Sequence, residues 1–317
     1  MKMKEKEIVH HLKDGRRLAY LEYGEPDGIP VMLFHGTPGS KAWFLEDDDT
    51  AISLGLRLIA TDRPGFGGSD PKPNRTLLDW ADDIAELATH LNLQRFAIIG
   101  VSGGGAYAAA CAYKIPSKLT HVSIVAGATP FLNGQPPKSM MKANRRAFFM
   151  AKRVPWILRM SYKAQKKMME KQPEKFIKLI KDGNSHLAKW DQQFTQEDGY
   201  GEEFLLHMGE AFKHRIDEGV HEPRLLSMPW RFSPSDIHFP LHIWHGEEDR
   251  MSPYSEMVKL AATIPNCQTH FIPQAGHFLI ADLQIWEAIL KTIKADSRSG
   301  MTDVDGGKRS REVLEPL

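Results

Sequence analysis

The chain has 317 residues, 42% of them hydrophobic, and 41 Lys and Arg against 40 Asp and Glu leave a formal charge of +1. That length allows one large domain plus an insertion, and the near-neutral balance gives no global electrostatic reason to expect nucleic acid or an acidic partner. The charged start, Met1 to Glu7, has no apolar leader core, and no run approaches the ~18 apolar residues of a membrane span, so the expectation is a soluble, cytoplasmic protein.

In chain order, Glu7 to Leu12 and Arg16 to Tyr23 flank Asp14-Gly15 and read as an antiparallel hairpin. Strands follow at Pro30 to Phe34 and Leu56 to Ala60, then a helix from Thr76 to Leu91 and a strand from Arg95 to Ile99. A helix from Gly105 to Lys114 and a strand from His121 to Val125 continue the alternation. Strands separated by helices favour parallel pairing, and hence a doubly wound, mostly parallel α/β sheet. In such a sheet the site lies at the carboxyl ends of the strands.

Gly100-Val101-Ser102-Gly103-Gly104 sits at one of those ends, between an apolar strand and an Ala-rich helix. That context is the strand-to-helix turn of a G-x-S-x-G nucleophile elbow, in which a serine stands on a tight, strained turn. A serine hydroxyl is a weak nucleophile until a histidine takes its proton, and the histidine needs a carboxylate to hold its tautomer. In the chain order of this elbow the acid and then the histidine follow the serine.

Asp249 ends the strand and polar turn that begin at Leu241, and His277 follows the strand Gln268 to Ile272 in a Gly-His-Phe loop. The interval between them holds one helix, Ser255 to Ile264, and that strand, which lets both side chains reach one edge of the sheet. His245 and His270 compete with His277, which alone has the Gly-His-Phe loop context, and Glu247 and Glu248 remain alternatives to Asp249 as the orienting acid. Donors for a developing oxyanion are the N–H of Gly103, directly after the serine, and the N–H of Thr37 in the loop His35 to Ser40.

Taken together these segments resemble the α/β-hydrolase superfamily. The H-G-x-P-G loop at His35 to Gly39, the D-x-P-G-x-G-x-S loop at Asp62 to Ser69, the elbow, the H-G-x-x-D turn at His245 to Asp249 and the G-H-F at Gly276 to Phe278 stand in that family's order. The resemblance covers about residues 7 to 128 and 225 to 293. It implies a core of residues 1–130 and 229–294, a helical cap from 131 to 228, and a charged, glycine-containing tail from 295 to 317 that reads as disordered. Asp62 and Arg63 read as an ion pair or loop brace, Val101 as packing beneath the elbow, and Tyr107 as core.

The cap's charges are segregated: Phe131 to Trp190 carries 15 Lys and Arg against 3 Asp and Glu, and Asp191 to Glu222 carries 9 acids against 2 bases. Either the basic and acidic helices neutralise one another side by side, or a basic, Met-rich lid faces anionic interfaces in peripheral membrane contact. Cys111 reads as core and Cys267 as an ordinary thiol, and no Cys or His spacing suggests zinc.

The expected activity is that of a carboxylesterase-like serine hydrolase. Ser102 is the nucleophile, His277 the proton shuttle, Asp249 its orienting acid, and the N–H groups of Thr37 and Gly103 the oxyanion donors, with no cofactor and a small ester or acyl substrate. The serine at the elbow argues against the dehalogenase and epoxide-hydrolase branches, which use a carboxylate there. Two alternatives remain open: an aminopeptidase resembling the proline iminopeptidases, which share the H-G-x-P-G loop, and a hydrolase-fold ligand sensor with little turnover. The iminopeptidase elbow carries Trp after its serine, where this chain has Gly103.

Overall fold

A computed structural model describes residues 6–44, 48–131 and 134–302. Among these residues, β1 (Ile8–His11) and β2 (Arg17–Gly24) form the expected hairpin, and β3 (Ile29–Phe34) and β4 (Leu56–Thr61) are joined through α1 (Asp48–Leu54). Next come α2 (Leu77–His90), β5 (Phe96–Val101), α3 (Gly103–Lys114) and β6 (Leu119–Val125). The chain closes with β7 (Leu241–Gly246), α10 (Tyr254–Thr263), β8 (Cys267–Ile272) and α11 (Leu283–Thr302). The sheet order is β1-β2-β4-β3-β5-β6-β7-β8, antiparallel where β2 meets β1 and β4 and parallel at every other pairing.

All six residues of β5 are buried, as its unbroken apolar sequence requires of a strand covered on both faces. One face packs on α2 and α3 through Trp80, Ile84, Leu87, Ile98 and Ile124. The other carries Val31, Leu33, Val125 and Trp244 against Trp286, Ile289 and Ile293 of α11. The small residues of α3 let it lie close to the sheet: a Cβ on Gly104 would collide with the carbonyl oxygen of Phe34.

Between β6 and β7 the chain forms α4 (Lys142–Arg153), α5 (Pro155–Lys171), α6 (Pro173–Asp182), α7 (Lys189–Gln196), α8 (Tyr200–Ala211) and α9 (Glu218–Leu226). Pro155 and Pro173 open α5 and α6, a position where the missing N–H costs no helical hydrogen bond. Leu158, Tyr162, Phe176, Met208 and Phe212 share a separate apolar cluster, and Phe66 from the loop after β4 inserts into it.

Mutual neutralisation of the basic helices α4 to α6 and the acidic helices α7 to α9 is not the dominant arrangement. Among the described residues Arg159 pairs with Asp217 at 2.7 Å, but Glu210, Glu218 and Glu222 turn to Lys41, Arg75 and Arg63 of the core. Lys138, Lys142, Arg145, Arg146 and Lys259 line an open groove of about 740 Å³.

The segment expected to be disordered from Ala295 needs correction, since α11 continues to Thr302. Ile293 is buried on its inner face, and one turn later the Asp296 carboxylate reaches His121 and His242, so the helix is held by tertiary contacts. Residues 303–317 lie outside the described residues. No helix of the described residues is long and apolar enough to cross a membrane.

Candidate active site

Ser102 stands between β5 and α3 with φ +52° and ψ −120°, a strained backbone for a residue bearing a Cβ. The turn is held by its own N–H, which donates to Val125 O at 2.9 Å, and by its carbonyl, which accepts from Ala128 N at 2.8 Å. Val101 is buried beneath it.

The histidine and acid arrive from the ends of β8 and β7. His277 Nε2 lies 3.1 Å from Ser102 Oγ, and His277 Nδ1 lies 2.7 Å from Asp249 Oδ2. Asp249 is fixed in turn, because its Oδ1 accepts the N–H groups of Met251 and Ser252 at 2.8 and 2.9 Å. His245 points at Ser252 O and sits 3.4 Å from Asp249, while His270 packs on Trp244; neither is recorded in contact with the serine. Burial disfavours the charged His277 imidazole, but the Asp249 carboxylate outweighs it and leaves the histidine above its ordinary value.

Thr37 and Gly103 face one another across the elbow: a Cβ on Gly103 would collide with Thr37 Oγ1. Their contact brings the loop after β3 against the first residue of α3, where N–H groups have no helical acceptor. The Thr37 hydroxyl is not incidental. It donates to Glu222 Oε2 at 2.6 Å, so α9 grips the loop.

Asp62 and Arg63 do act as braces, but with different partners. Asp62 binds Lys41 Nζ at 2.6 Å and Gly68 N at 2.9 Å. Arg63 donates to the carbonyls of His35 and Gly36 and to both carboxylate oxygens of Glu222. Tyr107, expected in the core, is buried, and its hydroxyl also donates to Glu222 at 2.8 Å.

Two acids of α7 and α9 were missed by sequence reasoning. Glu222 is fully buried, and although burial opposes ionisation, Arg63 and Arg75 hold its carboxyl down at about 2. Asp191 of α7 accepts the N–H of Phe278 at 2.9 Å and also that of His277, fastening the histidine loop to α7; burial raises its carboxyl despite those bonds. The one signal available was the acid excess from Asp191 to Glu222, which names no partners.

Replacing Glu222 by Gln leaves two buried guanidiniums short of their counter-charge, and is expected to cost about 3–5 kcal/mol in urea unfolding. Because the folded pKa is depressed from 4.5, the stabilisation is complete above about pH 4.5 and is lost as the pH falls toward 2. A flat difference between wild type and variant across that range would refute the assignment.

Residues 29–282 match the model of the alpha/beta hydrolase fold family. The chain belongs to the α/β-hydrolase fold family. A 2-hydroxy-6-oxononadienedioate/2-hydroxy-6-oxononatrienedioate hydrolase of Cupriavidus pinatubonensis is 27% identical over 256 residues, 78% of this chain and 80% of that protein. A proline iminopeptidase of Xylella fastidiosa is 34% identical over 116 residues, 34% of this chain and 36% of that protein. Several curated relatives, the iminopeptidase among them, are matched over less than half of their own length. Among solved structures, an esterase of Exiguobacterium antarcticum superposes with a TM-score of 0.66 at 18% identity, covering 92% of this hydrolase-fold chain and 98% of the other.

Proposed function

We propose that this α/β-hydrolase family member is a serine hydrolase that cleaves carboxylic esters through an acyl-enzyme. The observation that carries the reading is the continuous hydrogen-bonded line from Ser102 Oγ through both nitrogens of His277 to Asp249. Ser102 attacks the carbonyl carbon as His277 Nε2 takes its proton, and Asp249 stabilises the imidazolium that results. The tetrahedral oxyanion is met by the N–H groups of Thr37 and Gly103. His277 then protonates the departing alcohol, and a water activated by the same imidazole releases the acid and restores Ser102.

The cap supplies the wall over this chemistry. Leu226 at the end of α9 comes within van der Waals range of the Gly103 position, so the cap reaches the edge of the proposed oxyanion site. A cap in that place excludes water and sets which acyl groups fit.

A second reading is supported by the partial likeness to a proline iminopeptidase and the shared loop at His35 to Gly39. The two separate on a substrate panel: a p-nitrophenyl ester series of rising chain length beside proline p-nitroanilide, together with fluorophosphonate labelling. Labelling with ester turnover is expected. Turnover confined to the anilide would support the peptidase, and labelling without multiple turnover would support a ligand sensor.

A further inference from the structure

At the opposite end of the sheet, three side chains far apart in sequence converge on one point. His121 near the start of β6 is in register with Ala97 of β5, five positions before Ser102, which places it ~16 Å along the strand direction from the nucleophile. His242 near the start of β7 is in register with Ser123. His121 Nδ1 and His242 Nε2 both approach the same oxygen, Asp296 Oδ2, at 2.8 and 3.1 Å. One donor atom from each residue lies within 4.8 Å of the others.

We propose that His121, His242 and Asp296 form a binding site for a divalent transition cation of the zinc type, bracing α11 against β6 and β7. Two imidazoles and a carboxylate are a fitting donor set for such a cation, and tetrahedral ligand atoms at bonds of about 2.0–2.1 Å stand about 3.3 Å apart. The two spacings from Asp296 Oδ2, 2.8 and 3.1 Å, lie within about half an ångström of that value.

The surroundings favour the same reading. A ligating histidine needs its other ring nitrogen held by a hydrogen-bond partner, which fixes the tautomer. His121 Nε2 lies 2.7 Å from Ser123 Oγ, and His242 Nδ1 lies 3.1 Å from His270 Nε2. The rings of His121 and His242 stack with centroids 4.6 Å apart, turning their ligating edges the same way. Both histidines are buried while Asp296 is about one-third exposed.

The second group of converging acids, Glu7, Asp62 and Glu210, contrasts with it. There the Lys41 ammonium occupies the centre at 2.6–2.8 Å from all three, so the positive charge is built in.

The test is titration of the chelator-treated full chain with Zn²⁺, read by calorimetry and thermal melting, and with Co²⁺, read by visible absorption. One tight equivalent, a Zn²⁺-dependent rise in melting temperature and a low-coordinate Co²⁺ spectrum are expected. Asp296→Ala, at a partly exposed position, should weaken that equivalent at least 10-fold, and Ser123→Ala should weaken it about 10-fold through the released ring. His277→Ala should leave it unchanged. Absence of a tight equivalent in wild type overturns the proposal, as does unaltered binding in Asp296→Ala, which would assign the cation to other histidines.

Discussion

Ser102→Ala should lower ester turnover by a factor on the order of 10⁶ while leaving the fold intact, because in the proposed mechanism the serine supplies the attacking atom and touches little else. Its hydroxyl faces His277 Nε2 at 3.1 Å, and the turn is held by backbone bonds to Val125 and Ala128 that alanine keeps. His277→Ala should cost about as much, and the double variant no more than either alone, since the two groups act as one unit. The measurement is kcat on the best p-nitrophenyl ester, with fluorophosphonate labelling to count active serines. Labelling that survives in Ser102→Ala would move the nucleophile elsewhere and sink the mechanism.

Asp249→Asn is the second large effect, about 10⁴-fold in kcat with the geometry retained. An asparagine can still fill the space and accept from Met251 and Ser252, but it no longer carries the charge that favours the imidazolium. The pH profile separates this from simple disruption. His277 must be neutral to accept the serine proton, so activity rises with pH through its pKa, which Asp249 holds above 6.5. Removing the charge lets burial dominate, so the acid limb should move to lower pH as the plateau falls. A limb that stays in place would show that another group sets it.

Helices α7 and α9 are coupled to both halves of the proposed machinery. Glu222 holds the Thr37 loop and Asp191 the His277 loop, so displacement of these helices would loosen the proposed oxyanion donor and the proposed base together. Glu222 also ties Arg63, Arg75 and Tyr107 into one buried cluster, which makes α9 part of the core's own support.

Much of this was legible in the sequence. The strands expected at Pro30 to Phe34 and Arg95 to Ile99 appear as Ile29–Phe34 and Phe96–Val101, because continuous apolar runs bounded by polar turns have few alternatives in a doubly wound sheet. The helix expected from Gly105 begins at Gly103, since the elbow passes directly into it. Helix α1 escaped notice, being one short amphipathic stretch beside residues with no clear period.

What the sequence by itself determined was the order of the elements and the residues that meet at the carboxyl ends of β5, β7 and β8: Ser102, Asp249 and His277 belong to short local patterns whose backbone requirements are written in neighbouring glycines and prolines. Only the tertiary structure decided which of the nine acids between Asp191 and Glu222 would face Arg63, which would hold the histidine loop, and that His121, His242 and Asp296 would share one point. The physical reason is range. Hydrogen bonds and buried ion pairs choose partners within a few ångströms in space, and that choice leaves no spacing along the chain to read.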